Sequence, residues 1–358
     1  MNKLTLLFSM LLLFAGFGAA QDPGSVKFSL QTFGDYFYNV KANSGVNNNL
    51  NGFDFRRIYF TTDYQIDTTF SARFRLNSDG TANSNTAGGK LGVYVYDAYL
   101  KWGRIFSGSD LIFGLSPTPA FQVSESFWGH RYLEKTILDV NSVVNSRDIG
   151  VDLKGKFDDD GIVQYWLKIG NNENETGILV NKYKRFYGLL EFFPIPNLAF
   201  TVYGDYAAAA KVLDKAAGAY KNNGAFTGSL FLGYKQPGSF GIGTEGFLRS
   251  WQNEYLLNST SLLATQTSDG ISVWAYANLT DKIQLVFRYD GYDANTANSN
   301  PASISDAKSL IIGGIQFTVS KTINITPNIE ITRYQAAPTN SGYSQDVVPR
   351  ITFDWELE

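Results

Sequence analysis

The spacing between strand-like stretches constrains this chain more than any motif it carries. From Ser25 to the C-terminus, segments of in/out hydrophobic alternation recur, and the connectors between them are alternately long and short. The long connectors span 41–52, 78–89, 116–148, 172–182, 209–224, 254–269, 294–308 and 335–346. The short ones shrink to 65–67, 102–109, 158–160, 194–197, 235–239, 281–282 and 321–322. A soluble sandwich has no reason to keep every long loop at one end. An antiparallel barrel that crosses a bilayer does, because its tight turns face one compartment and its long loops the other.

Sixteen strands fit between these connectors, at 25–40, 53–64, 68–77, 90–101, 110–115, 149–157, 161–171, 183–193, 198–208, 225–234, 240–253, 270–280, 283–293, 309–320, 323–334 and 347–357. An even number is what a closed barrel with both termini on one side requires. Alternation is cleanest near the end. Ile323, Ile325, Ile329 and Ile331 fall on one phase, Asn324, Thr326, Asn328 and Glu330 on the other. Successive side chains point to opposite faces of a strand, so one phase is apolar and the other polar. A β-sandwich would give the same periodicity; strand number and loop asymmetry separate the two.

Composition agrees. Residues 1–20 read as a signal peptide: Lys3 supplies the positive region, Leu4–Phe14 the apolar region, and Gly18-Ala19-Ala20 the cleavage site. Residues 21–358 then form one barrel domain, exported to the outer membrane of a bacterial cell. Beyond the leader no stretch offers the eighteen or so apolar residues of a spanning helix. Removing Lys3 moves the formal charge from −3 to about −4, which argues against a nucleic-acid partner. The chain has no cysteine and one histidine, His130, so a zinc or redox-metal site is not expected, nor is any cofactor. A Ser–His hydrolase needs a serine and an orienting group set against the imidazole, and the spacing suggests neither. Enzymatic function is therefore not expected. Asp158-Asp-Asp-Gly161 reads as a tight turn rather than a calcium loop, and Glu173 and Glu175 as part of a solvated loop. Asp205–Tyr220, with its alanine run, is expected to form a short helix.

Three stretches, Phe53–Asn77, Gly114–Leu138 with its SESFWGHRYLEK core, and Ser146–Phe157, resemble the phosphate-selective porin family. The likeness is closest to its broad branch from Bacteroidetes-like bacteria. Arg288-Tyr-Asp-Gly-Tyr-Asp293 and the strands at Ile311–Pro327 are similar to the late hairpins of that family. The resemblance covers most of the chain through loose strand patterns. It implies a sixteen-stranded outer-membrane channel, commonly a homotrimer. Two departures stand against carrying phosphate selectivity over: no sustained basic ladder is present, and the chain ends Trp355-Glu-Leu-Glu358 rather than on an aromatic residue.

Within that frame the connector 116–148 is the third external loop, expected by analogy with general porins to fold into the lumen. It carries Glu125, His130, Arg131, Glu134, Lys135 and Asp139, with Phe127, Trp128 and Tyr132 as anchors. On the wall, Arg57, Arg73 and Arg75 take inward phases, with Arg56 at a rim or bulge. Asp97, Asp152, Glu191, Asp205, Glu245, Asp290, Glu330 and Asp354 are inward carboxylates. The expected pore lining and constriction is Arg57, Arg73, Arg75, Asp97, Lys154, Glu125, Arg131, Glu134 and Asp139. Opposed charges there would set ion preference. The expected function is passive diffusion of small hydrophilic solutes and ions, with outer-membrane lipids and lipopolysaccharide around the barrel. The alternative is an adhesive or structural barrel whose lumen is blocked.

Overall fold

The computed structural model describes residues 23–80, 91–172, 181–256, 263–296, 307–335 and 341–357. The leader 1–20, Glu173 and Glu175 lie outside the described residues. In chain order the first strands are β1 (Val26–Tyr38), β2 (Asn51–Gln65), β3 (Phe70–Ser78), β4 (Tyr94–Phe106), β5 (Ser109–Pro117) and β6 (Arg147–Lys156). Next come β7 (Val163–Gly170), β8 (Arg185–Phe192), β9 (Leu198–Ala207), β10 (Val212–Asp214), β11 (Ala219–Lys221) and β12 (Ala225–Gln236). The last are β13 (Phe240–Leu256), β14 (Leu263–Thr280), β15 (Ile283–Asp293), β16 (Lys308–Ser320), β17 (Ile323–Tyr334) and β18 (Gln345–Leu357).

All of these except β10 and β11 close into one antiparallel barrel of sixteen strands, in which β9 pairs with β12 and β1 with β18. The closing register runs from Leu30 opposite Leu357 to Phe37 opposite Arg350. Closure leaves no strand edge, so away from its bulges the wall pairs its backbone polar groups strand to strand rather than with water. Side chains sort as the alternation requires. On β17, Ile323, Ile325 and Ile329 are exposed while Thr326, Asn328 and Glu330 are buried. Leu167, Phe186, Leu190, Leu230, Ile271, Phe287 and Ile351 continue an exposed apolar belt on the outer face. At about 25 cal/mol per Å², such a belt is stable only against hydrocarbon.

The turns explain the short connectors. Asp158 accepts hydrogen bonds from the backbone N–H of Ile162 at 2.8 Å and Val163 at 2.7 Å, closing its turn locally. The connector expected at 102–109 is tighter than its sequence suggests. β4 runs to Phe106 because Arg104, at φ 56°, absorbs a register break between Trp102 and Phe106. The long connector expected at 254–269 is also shorter: β13 and β14 climb past their neighbours to Leu256 and from Leu263, across an irregularity at Asn253.

The helix expected over Asp205–Tyr220 is not formed. β9 runs to Ala207, and Val212–Asp214 pairs with Ala219–Lys221 as a small hairpin. Asp214 Oδ1 accepts from the backbone N–H of Ala216 and of Ala217, both at 3.0 Å, and Gly218 sits at φ 60°. An aspartate that satisfies local N–H groups favours a turn over a helix interior, and alanine propensity is too weak to outweigh it.

Candidate functional site in the barrel lumen

Two β-bulges decide what faces the lumen of β1–β4. Phe33 pairs with Arg57 but Gly34 with Phe55, so Arg56 is the extra residue of β2. Arg75 pairs with Asp97 but Leu76 with Val95, so Tyr96 is extra on β4. A bulge lets two consecutive side chains share a face. Arg56 joins Arg57, and Tyr96 joins Asp97, on the inside. The backbones approach closely at the first bulge: a Cβ on Gly34 would stand 2.2 Å from the Asp54 carbonyl oxygen.

The connector 118–146 turns inward. It contains the short helices α1 (Gln122–Trp128) and α2 (Ile137–Val140). Its apolar residues Phe121, Phe127, Trp128, Leu133, Ile137, Leu138 and Val144 are all nearly inaccessible. They are buried against the inner wall, one set with Tyr59, Phe231 and Trp274 and the other with Trp166, Tyr187 and Phe247. Phe127 meets Phe231 with ring centroids 5.6 Å apart, Trp128 meets Trp274 at 5.7 Å, and His130 meets Tyr276 at 5.2 Å. Glycines make room for these rings. A Cβ on Gly243 would lie 2.3 Å from the Trp274 ring, one on Gly241 2.4 Å from Tyr276, and one on Gly233 2.8 Å from Phe127. Each buried aromatic contributes about 1.5–3 kcal/mol to seating the loop.

Polar bonds set its register. Ser124 donates to Glu245 at 3.0 Å, Tyr132 to Gln316 at 2.5 Å, and Arg288 to the Lys135 carbonyl at 2.5 Å. Arg56 donates to the carbonyl of Leu133 from the opposite side. The loop therefore crosses the lumen from β12–β13 to β1–β2. His130 donates from Nδ1 to the Trp128 carbonyl at 2.6 Å, and its Nε2 lies 2.6 Å from the Gln284 side-chain amide. Burial lowers its pKa from the ordinary 6.5, and these two hydrogen bonds oppose part of that shift.

The charged side chains gather in two groups. In the first, a cavity of about 330 Å³ lies between the loop and β1–β2, lined by Arg56, Arg57, Asp54, Asp79, Arg131 and Lys135. Arg57 is ion-paired with Asp79. Arg131 lies 3.0 Å from Glu125 and 3.5 Å from Asp139, Lys135 lies 3.5 Å from Asp139, and Glu134 lies 3.3 Å from Arg56. In the second group, Asp97 takes Arg147 at 2.5 Å and Arg75 at 3.5 Å, while the Arg147 guanidinium lies 4.0 Å from the Tyr96 ring centroid.

Of the residues expected from sequence at a constriction, Arg57, Glu125, Arg131, Glu134 and Asp139 are thus brought together, with Arg75 and Asp97 on the adjoining wall. Arg73 and Lys154 are not. Arg73 makes a two-bonded pair with Asp63 at 2.7 and 2.9 Å, nearer the short-turn end. Lys154 lies over the Trp166 ring at 4.2 Å on β6. Reading the sequence left out Arg147, Asp79 and Arg288. For Arg147 a signal existed, since a basic residue opens the strand beside Asp148. Asp79 carried none, because it follows the last residue of its strand.

No family model matches the sequence, and no curated protein matches it. Solved structures do. The outer membrane channel DcaP of Acinetobacter baumannii aligns with a TM-score of 0.66 at 9% identity, covering 95% of this chain and 100% of that one. The anion-selective porin from Comamonas acidovorans aligns at 0.65 and 12% identity, over 93% and 100%. OmpT of Vibrio cholerae in its trimer form aligns at 0.59 and 12% identity, over 94% and 100%. At these identities the likeness is one of fold: the chain shares the closed sixteen-stranded barrel of outer-membrane porins.

Proposed function

We propose that this protein is an outer-membrane porin, a passive water-filled channel for small hydrophilic solutes and ions. The observation that carries this reading is the closed barrel with an apolar outer face and a charged inner one, narrowed by its own third loop. Solutes move down their gradients through the gap between loop and wall, and no bond is made or broken. Arg57, Arg75, Asp97, Glu125, Arg131, Glu134 and Asp139 form the constriction, whose opposed charges orient polar solutes. Arg73 and Lys154 line the wall away from it. The short turns face the periplasm and the long loops the exterior, with lipopolysaccharide packed around the outer belt. Residues 1–20 direct export. The working unit is a homotrimer, as the trimer form of the Vibrio cholerae protein suggests by its shared fold. Membership of the phosphate-selective porin family rests on the strand patterns at Phe53–Asn77, Gly114–Leu138 and Ser146–Phe157.

The test is conductance in planar bilayers by refolded, heat-modifiable protein. Discrete steps that scale with salt are expected. Their absence from correctly folded barrels would favour the second reading, an adhesive barrel with a blocked lumen. The aromatic contacts between the loop and the wall are the observation on that side.

A further inference from the structure

The outer face of β14–β17 is not an even belt. Near the long-loop end, Ile271, Gly291, Ser309 and Arg333 stand side by side in register across the four strands. They share the outward phase, for Ile271 is 51% exposed and Tyr289, one row below Gly291, is 41% exposed. A large side chain closes each end of the row, while its middle holds only a glycine and a serine. The result is a hollow of about 500 Å³ on the outside of the barrel. A Cβ on Gly291 would meet nothing nearer than the Tyr289 hydroxyl at 3.6 Å and Ile271 Cγ2 at 3.8 Å. That volume falls within the about 300–1,000 Å³ that takes a small organic group.

The rows on either side differ in chemistry. Nearer the short turns, Val273, Tyr289, Ile311 and Ile331 are apolar but for one phenol. Nearer the loops, Asp269 stands opposite Asp293, and both border the hollow. Asp293 is fixed by the backbone N–H of Asn295 at 2.9 Å. Among the described residues, the side chains of Asp269, Tyr289, Ser309 and Arg333 make no hydrogen bond or ion pair. The lumen arginines do, as Arg185 does with Asp205 at 2.8 Å and Arg350 with Asp35 at 2.9 Å.

Position and charge together select the occupant. The hollow sits where the apolar belt gives way to charge, which is the level of lipid headgroups around a barrel. Two facing carboxylates repel a bare anion, so free phosphate would be held poorly. A headgroup that joins a phosphoryl group to hydroxyl donors satisfies the guanidinium and both aspartates at once. Resting on the outer-membrane reading above, we propose that this hollow seats one phosphorylated glycolipid of the outer leaflet. Its phosphoryl group lies on Arg333, its sugar hydroxyls donate to Asp269 and Asp293, and an acyl chain descends beside Gly291 onto Ile311 and Ile331.

The test is native mass spectrometry of the refolded, delipidated barrel in neutral detergent, titrated with bisphosphorylated lipid A. Parallel arms use the same lipid after phosphatase treatment, phosphatidylglycerol, and inorganic phosphate as competitor. Wild type is expected to retain one bisphosphorylated molecule in preference to the other two lipids. Arg333→Gln should weaken retention about 10- to 100-fold, the scale of a lost charge-assisted pair of hydrogen bonds. Gly291→Leu fills the hollow at unchanged charge and should weaken it similarly. Lys321→Gln removes a charge from the short turn at the far end and should change nothing. Heat-modifiable mobility in gels verifies that each variant is folded. No retention by wild type, equal retention of the three lipids, or wild-type affinity in Arg333→Gln or Gly291→Leu overturns the seat. Displacement by inorganic phosphate alone would make it a free-anion site, and a changed oligomeric state in Gly291→Leu with lipid still bound would assign the face to a second copy. Either result overturns the proposal. Because the measurement needs no current, silence in planar bilayers would sink the channel reading and leave this one to be decided by lipid retention.

Discussion

Replacing Trp128 with alanine tests whether the third loop is the element that narrows the lumen. The indole is 1% exposed, packs on Trp274 and His130 with centroids 5.7 and 4.9 Å away, and donates from Nε1 to the Glu134 carbonyl at 2.9 Å. The Arg288 guanidinium lies 5.4 Å from its centroid. Truncating a fully packed tryptophan costs about 3–5 kcal/mol. Water can enter this lumen and fill part of the space, so about 3 kcal/mol is the better figure. At about 1.36 kcal/mol per tenfold, the equilibrium for unseating the loop rises roughly 150-fold. The wall is held by strand pairing that Trp128 does not join, so heat-modifiable mobility should be unchanged. Single-channel recordings should show larger steps, or flicker between two levels. Hydrogen exchange should speed up in residues 122–140 and not in the flanking strands. Wild-type conductance together with wild-type exchange in a folded Trp128→Ala barrel would refute the argument that this side chain seats the loop.

Three further outcomes follow from the same geometry. Arg75→Glu changes the wall by two unit charges; at about 8 Å through water that is about 1 kcal/mol, or roughly a fivefold shift in permeability ratio toward cations, read as a reversal potential. Arg73→Glu, nearer the short-turn end, should shift it less, and equal shifts would contradict the positions given to the two residues. Deleting residues 124–136 should raise conductance, and an unaltered conductance would place the loop outside the conducting path. His130 binds fewer protons in the seated loop than in solvent, so its contribution is full above its ordinary value of 6.5 and is lost as pH falls toward the lowered value. Acidification should therefore loosen the loop in exchange measurements, and His130→Gln should flatten that dependence.

Much of the fold was legible because a strand's side-chain period leaves little freedom. Once Ile323, Ile325 and Ile329 share a phase, Thr326, Asn328 and Glu330 must share the other, and sixteen such segments with alternating connectors describe a closed wall. Local turn chemistry at Asp158 and Gly161 was equally readable. Where the reading of Asp205–Tyr220 failed, alanine propensity was set against an aspartate that satisfies two backbone N–H groups, and the aspartate prevailed.

The sequence by itself therefore determined the strand count, the two ends of the barrel and the face on which each regular strand residue lies. Only the tertiary structure decided which charges meet. Arg56 and Tyr96 reach the lumen through bulges, and a bulge is a property of two paired strands rather than of either one. Glu134 meets Arg56, and Arg288 meets the Lys135 carbonyl, because a loop crosses open space to a wall more than seventy residues away in sequence. Alternation fixes a direction for each side chain, but distances across a lumen come from closure of the sheet and from where the aromatic anchors of the loop find room beside Gly233, Gly241 and Gly243.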